Sequence, residues 1–363
     1  MFAPARYIAW ATKHYGKVPF DLASSGIAHA AWAELGVPEP ALDDPAAYAD
    51  FREALAVYND VPVAEVVPAL GTSHAVFLAY AAMLSPGDEV LLETPGYEPL
   101  TTTANGLGAT VVPYERRADE GYAVSPERVA AAMTPRTRVI VVTNHHNPTG
   151  VNVPEATLRE LAAIAEARGA YLLVDEVYAP FEDLPEDGVF RTSARKLGRN
   201  VVAVGSLTKC YGLGMHRIGW VLGPPEIATR ADTAVVATAG HLPLAHAARG
   251  AVATRNVGRL AARAKVLFAG KREIAEQWAK TLPSARWSSP TSGLFGLVTL
   301  EGAGDLLPCI EGWALQHGVL VGAGSLFGVE SGFRLSWATL PRDRFEQGLE
   351  KLSSLVRLVR DAR

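Results

Sequence analysis

Lys209 is the one amine in the stretch "SLTKCYGLGMHRIGW", with a threonine before it, a cysteine after it and Arg217 eight residues on. A lysine amine forms a Schiff base with an aldehyde, a use that requires it to shed its charge. A guanidinium beside hydroxyls, here Ser206 and Thr208, is a set that grips a phosphate. The stretch "GTSHAVFLAYAAML" adds a glycine and two more hydroxyls, Thr72 and Ser73, at the start of a helical pattern. Free N–H groups and the positive dipole end suit an anion there. Taken alone, Ser73 reads as a helix N-cap.

Asp175 closes an apolar run. A carboxylate in that position is costly unless it meets a cation or a hydrogen-bond donor. A pyridinium nitrogen would serve. Asn147 in "NHHNPTG" and Tyr178 in "VDEVY" suit a phenolic oxygen on the same ring, and Tyr97 after "ETPG" suits its face. Each residue alone has a plainer reading: a loop lysine, a turn asparagine, a core tyrosine, a loop tyrosine. His145 or His146 could face a substrate; the plainer reading of each is a satisfied loop histidine.

The elements that must position these side chains are legible as alternating apolar runs. "EVLLE", "ATVVPY", "TRVIVVTN", "AYLLVDE" and "NVVAVGS" read as buried strands, rich in β-branched residues. Helical patterns lie between several of them. "PEATLRELAAIAEARG" opens on a proline suited to a first turn and closes on a glycine suited to a C-cap. Alternation of this kind predicts a three-layer α/β fold with a mostly parallel sheet. Ligands bind beyond the carboxyl ends of such strands, which is where the candidate residues fall. Helical patterns fill about 245–279. Strand-like "LFGLVTL" and "FRLSWA" and a terminal helix follow, giving a smaller α+β domain. The expected division is 43–265 for the large domain and 1–42 plus 266–363 for the small one.

Bulk properties exclude other classes. The 34 basic and 38 acidic residues leave a formal charge of −4 with no basic block, so nucleic acid is not an expected partner. Cys210 and Cys309 make no disulfide framework and no C-x-x-C metal pair. The broken N-terminal pattern lacks a signal-peptide core, and no long apolar run exists. A cytoplasmic protein without a bound metal is expected.

The ordered pieces "GTSHA", "TPGYEP", "NHHNPTG", "VDEVY", "SLTKCYGLGMHRIGW" and "GSLFGVESGFRLSWA" resemble the fold-type I pyridoxal-phosphate enzymes, within the class I/II aminotransferase group. The resemblance spans nearly the whole chain. It implies pyridoxal 5'-phosphate as cofactor, with Lys209 as its Schiff-base lysine and proton shuttle. Asp175 is then the partner of the ring nitrogen, Asn147 and Tyr178 of the ring oxygen, and Tyr97 the stacking aromatic. Thr72, Ser73, Ser206, Thr208 and Arg217 form the phosphate cradle, and Arg334 forks onto the substrate α-carboxylate. Gly26 and Ile27 stand where relatives cover the substrate. Relatives are homodimers, and many contribute a tyrosine to the neighbouring subunit's phosphate. Here that place reads "PALDDPAAY", with Tyr48 close to the next helix.

The resemblance implies a ping-pong exchange between an α-amino acid and a 2-oxo acid. The N-terminal "SSG" also looks like capreomycidine synthases, which use the fold for elimination and cyclisation, so a lyase or cyclase is the alternative. A sensor half of a transcription regulator would need an added DNA-binding domain, for which the pattern leaves no room.

Overall fold

The computed structural model describes residues 2–361. Seven strands form the central sheet: β1 (Val66–Leu70), β2 (Glu89–Thr94), β3 (Thr110–Glu115), β4 (Thr137–Thr143), β5 (Tyr171–Asp175), β6 (Val201–Ser206) and β7 (Ile218–Leu222). Their spatial order is β1-β7-β6-β5-β4-β2-β3. All run the same way except β7, which is antiparallel to both neighbours. The expected mostly parallel α/β fold is therefore present.

Period-two alternation builds the layers. Val139 and Val141 of β4 pack on one side with α3 (Gly71–Met83), in sequence the third helix after α1 (Arg6–His14) and α2 (Ala47–Asn59). Ile140 and Val142 pack on the other side with Leu158 and Leu161 of the helix Glu155–Ala167. Strands apolar on both faces are what a sheet covered by helices on both sides requires. That helix starts at Glu155 with Pro154 as its N-cap, one position later than the proline signal suggests.

One strand corrects the sequence reading. β3 was expected to be buried, but most of its residues are partly or fully exposed because it forms the sheet's outer edge. Pro113 within it is tolerated there, since an edge strand has one unpaired side. β1, at the opposite edge, carries Pro68.

A second, antiparallel sheet has four strands: β8 (Ala285–Trp287), β9 (Phe295–Leu300), β10 (Gly322–Ala323) and β11 (Gly332–Ser336), in the order β10-β11-β9-β8. Its core takes Tyr7 and Trp10 from α1 and Phe345, Leu349 and Leu352 from the helix Arg342–Asp361. Phe268, the last residue of the helix Val257–Phe268, packs against both this core and one core of the large sheet. The expected division near 265 falls within that helix.

Candidate active site

The carboxyl ends of β1, β4, β5 and β6 converge on one rim. Asp175 pairs across to Thr143 of β4, and Ser206 pairs with Gly219 of the reversed β7. Leu70 at the end of β1 pairs with Ile218 at the start of β7. Arg217, just before that start, thus reaches the same rim as Lys209, just after the end of β6.

A cavity of ≈ 330 Å³ opens there. Nine expected residues line it: Thr72, Ser73 and Tyr97; Asn147, Asp175 and Tyr178; Thr208, Lys209 and Arg217. A larger cavity of ≈ 540 Å³ runs beside β3 and α4 (Glu98–Gly106), but its walls hold no lysine. Chemistry therefore belongs to the smaller one.

Its two ends differ. At one, α3 presents Thr72 and Ser73 in its first turn; Ser73 lies inside the helix and is not the N-cap, which is Leu70. Thr72 donates to Ser206 Oγ at 2.9 Å, and the Thr208 N–H donates to the same hydroxyl at 3.3 Å. The Arg217 side chain donates only to the backbone oxygens of Gly214 and Leu70, each at 3.4 Å, leaving its charge available. Gly71 has φ +75°, and a Cβ there would lie 2.6 Å from Arg217 Nη2. Only glycine lets the guanidinium approach the helix start.

At the other end lies Asp175, buried, its Oδ1 accepting from the Val177 N–H at 3.1 Å. Burial pushes its carboxyl up to about 7, and nearby Glu93 adds to the rise. Glu93 is itself buried in an ion pair with Arg116 at 2.9 Å. Thr143, on the cavity wall, is buried beside Glu93, whose Oε1 accepts from the Thr143 N–H at 2.8 Å.

Lys209 lines the same cavity, half-buried. Its Nζ donates to Ser25 Oγ at 3.0 Å. Burial, then the Arg334 and Arg217 charges, hold its amine below the ordinary lysine value. Such a lysine loses its proton more readily than a surface one.

Arg334 on β11 is fully buried and touches the site through Asn147, whose Oδ1 accepts from Nη1 at 2.7 Å. Gly26 lies against Lys209; a Cβ there would be 3.3 Å from its Cδ. The Ile27 N–H donates to the Lys209 carbonyl at 3.0 Å, while the Ile27 side chain packs into a core. These two residues back the lysine and are not on the cavity wall.

Both histidines are held by the protein. His146 bonds Thr149 Oγ1 at 2.7 Å and the Pro95 carbonyl at 2.9 Å, and burial keeps it neutral. His145 Nε2 lies 3.0 Å from Glu182 and 3.1 Å from Ser292. Tyr48 donates to Asp232 within its own chain at 2.7 Å. Three residues were given no role by the sequence reading: Ser25, although it lies in the quoted "SSG", and Tyr7 and Tyr15. Tyr7 and Tyr15 hydroxyls both accept from Arg334 Nη2 at 3.0 Å. Nothing marked them but an N-terminal amphipathic pattern, because they act on a residue more than 300 positions away.

Comparison with known proteins gives these residues a context. The family described as aminotransferase class I and II matches residues 42–352. The chain belongs to that family. It is a pyridoxal-phosphate-dependent aminotransferase-family enzyme with the fold of that group. It is 29% identical to arginine–pyruvate transaminase of Pseudomonas aeruginosa, over 74% of this chain and 68% of that protein. It is 28% identical to capreomycidine synthase of Streptomyces vinaceus, over 95% and 91%. A crystal structure of the PLP-dependent cyclase OrfR superposes with a TM-score of 0.83 at 26% identity, covering 100% of this chain and 98% of that one. Among the described residues no helix is long and apolar enough to cross a membrane.

The residues present fit pyridoxal phosphate. The cavity lies within the size range of small-ligand sites. It brings a hydroxyl–guanidinium set, a buried carboxylate and a half-buried amine onto one wall.

Proposed function

We propose that this enzyme moves an amino group between an α-amino acid and a 2-oxo acid. The observation that carries the reading is the half-buried Lys209 amine in one ≈ 330 Å³ cavity with Asp175 and Arg217. Thr72, Ser73, Ser206, Thr208 and Arg217 would hold the phosphate of the cofactor. Asp175 would pair with its ring nitrogen, Asn147 and Tyr178 with its ring oxygen, and Tyr97 would cover the ring. Lys209 would hold the cofactor's aldehyde carbon. When bound, the cofactor supplies an electron sink for the pair left as Cα loses its proton.

The protein's own residues do the rest. Lys209, with its amine value lowered, takes the Cα proton as base and returns one as acid. Its tether keeps it at the site throughout, an advantage of proximity. Arg334 orients the α-carboxylate through its fork of N–H groups. The donor leaves as an oxo acid before the acceptor enters, a ping-pong order. The division into a large and a small domain, a homodimer and a cytoplasmic location complete this reading.

Purified protein with added pyridoxal phosphate should show a visible-region absorbance band. Lys209→Ala should abolish the band and reduce turnover by about 10³-fold or more. A protein that is colourless after loading with cofactor and removal of the unbound excess overturns the reading. Donors are screened against pyruvate and 2-oxoglutarate, beginning with arginine because a relative is an arginine–pyruvate transaminase. The alternative, a lyase or cyclase, is supported by likeness to capreomycidine synthase and to a cyclase over nearly the whole chain. Its signature is a product formed with no amino acceptor present.

A further inference from the structure

The helix α1 and the turn after it lie before residue 42, where the family match begins. They nevertheless reach the buried Arg334. Its Nη2 donates toward Tyr7 Oη at 3.0 Å, Tyr15 Oη at 3.0 Å and the Ala23 carbonyl at 2.8 Å. That is three acceptors on a nitrogen with two hydrogens. The two tyrosine oxygens are 2.6 Å apart, and Tyr15 donates to Ala23 O at 3.0 Å. Nη1 is bonded to Asn147, and Nε is buried without a partner.

A carboxylate forks onto two parallel N–H bonds of a guanidinium. It does so end-on, through Nη1 and Nη2, or side-on, through Nε and Nη2. Both arrangements need Nη2, the nitrogen now covered by tyrosine oxygens. A phenol is both acceptor and donor. When a carboxylate oxygen arrives, a tyrosine hydroxyl can give up the Arg334 hydrogen and turn its own O–H toward the newcomer.

We propose that Tyr7 and Tyr15 are positioning residues of the substrate-carboxylate site: they hold Nη2 as placeholders and then donate to the carboxylate that replaces them. This rests on the reading of Arg334 as the carboxylate residue. The surroundings are built for it. The Tyr7 N–H donates to Glu98 Oε2 at 2.8 Å, fixing α1 to the helix that starts after Tyr97. The Tyr7 ring meets the Tyr97 ring edge-on at 5.4 Å and the Phe327 ring at 5.0 Å. Ile8, the next residue, lines the cavity. Burial opposes ionisation of the Tyr7 phenol, yet the Arg334 and Lys209 charges outweigh it and bring its value below the ordinary one. The hydroxyl thus faces the positive field that a carboxylate would enter.

The experiment uses the cofactor-loaded enzyme and binding followed by absorbance. The twenty amino acids are titrated into wild type. The tightest binder is carried forward with the amine that its decarboxylation leaves. Tyr7→Phe keeps the ring and removes the hydroxyl; it should raise the Kd of the amino acid about tenfold and leave that of the amine within about twofold. Tyr15→Phe should act in the same sense and carries the test if Tyr7→Phe does not fold. Equal weakening of both ligands, or no change in either, overturns the proposal. If no amino acid binds wild type, the functional reading fails and the placeholder proposal fails with it. Amino-acid binding that is intact in wild type and in both variants overturns the placeholder proposal alone.

Discussion

Asp175 is worth following through a pH series. In the cofactor-free protein its carboxyl sits at about 7, mainly through burial, while an unfolded carboxyl titrates near 4. Between those values the unfolded chain releases a proton that the folded chain keeps. The Asp175 contribution to stability is therefore full below about pH 4 and is lost as pH rises to about 7. Asp175→Asn mimics the protonated form and should not suffer that loss. Denaturant unfolding without cofactor should find the variant similar to wild type at pH 4 and more stable by about 1–3 kcal/mol above pH 7. A constant difference across the range would contradict it. The same variant should bind pyridoxal phosphate more weakly, because an amide offers no charge to the ring nitrogen.

At the scale of elements, the N-terminal start of α3 is the most sensitive part of the site. Gly71 places it under Arg217 with a positive φ. Gly71→Ala forces a left-handed residue, at about 1–2 kcal/mol, and pushes the guanidinium aside. Cofactor titration of the stripped protein should show about tenfold weaker binding, by the corresponding loss of roughly 1.4 kcal/mol. Unchanged affinity would mean Arg217 takes no part in holding the phosphate. Here the sequence was informative in an uneven way. β4, β5 and β6 announced themselves because both their faces are apolar. β1 and β7 did not, since Pro68 and Gly219 interrupt short runs of five residues. β3 looked like its buried neighbours because its valines do not record that it sits at an edge. Residues that follow strands, such as Lys209 and Asp175, were found by motif and chemistry together. Ser25, Tyr7 and Tyr15 were not, because their partners come from distant parts of the chain and only packing reveals them.

Across the whole molecule, the cavity is assembled from distant segments, with Asp175 from the large sheet and Ile8 from α1, which packs on the small sheet, while Arg334 of the small sheet reaches it through Asn147. A ligand that binds only this assembly stabilises all of it. Unfolding in pyridoxal phosphate at a hundredfold excess over its Kd should gain about 2.7 kcal/mol. Lys209→Ala should gain less at the same concentration, since its Kd is raised. A gain equal in the two proteins would show that the amine adds nothing to cofactor retention. The reversed strand β7 has a further consequence. Because β6 ends where β7 begins, the loop 207–217 is a ruler with both its marks fixed to one rim. It carries Lys209 and Arg217, which both line the one cavity. Adding or deleting one residue between them would recalibrate that distance even with every contacting side chain unchanged. In this part of the chain, length is as much a functional property as residue identity.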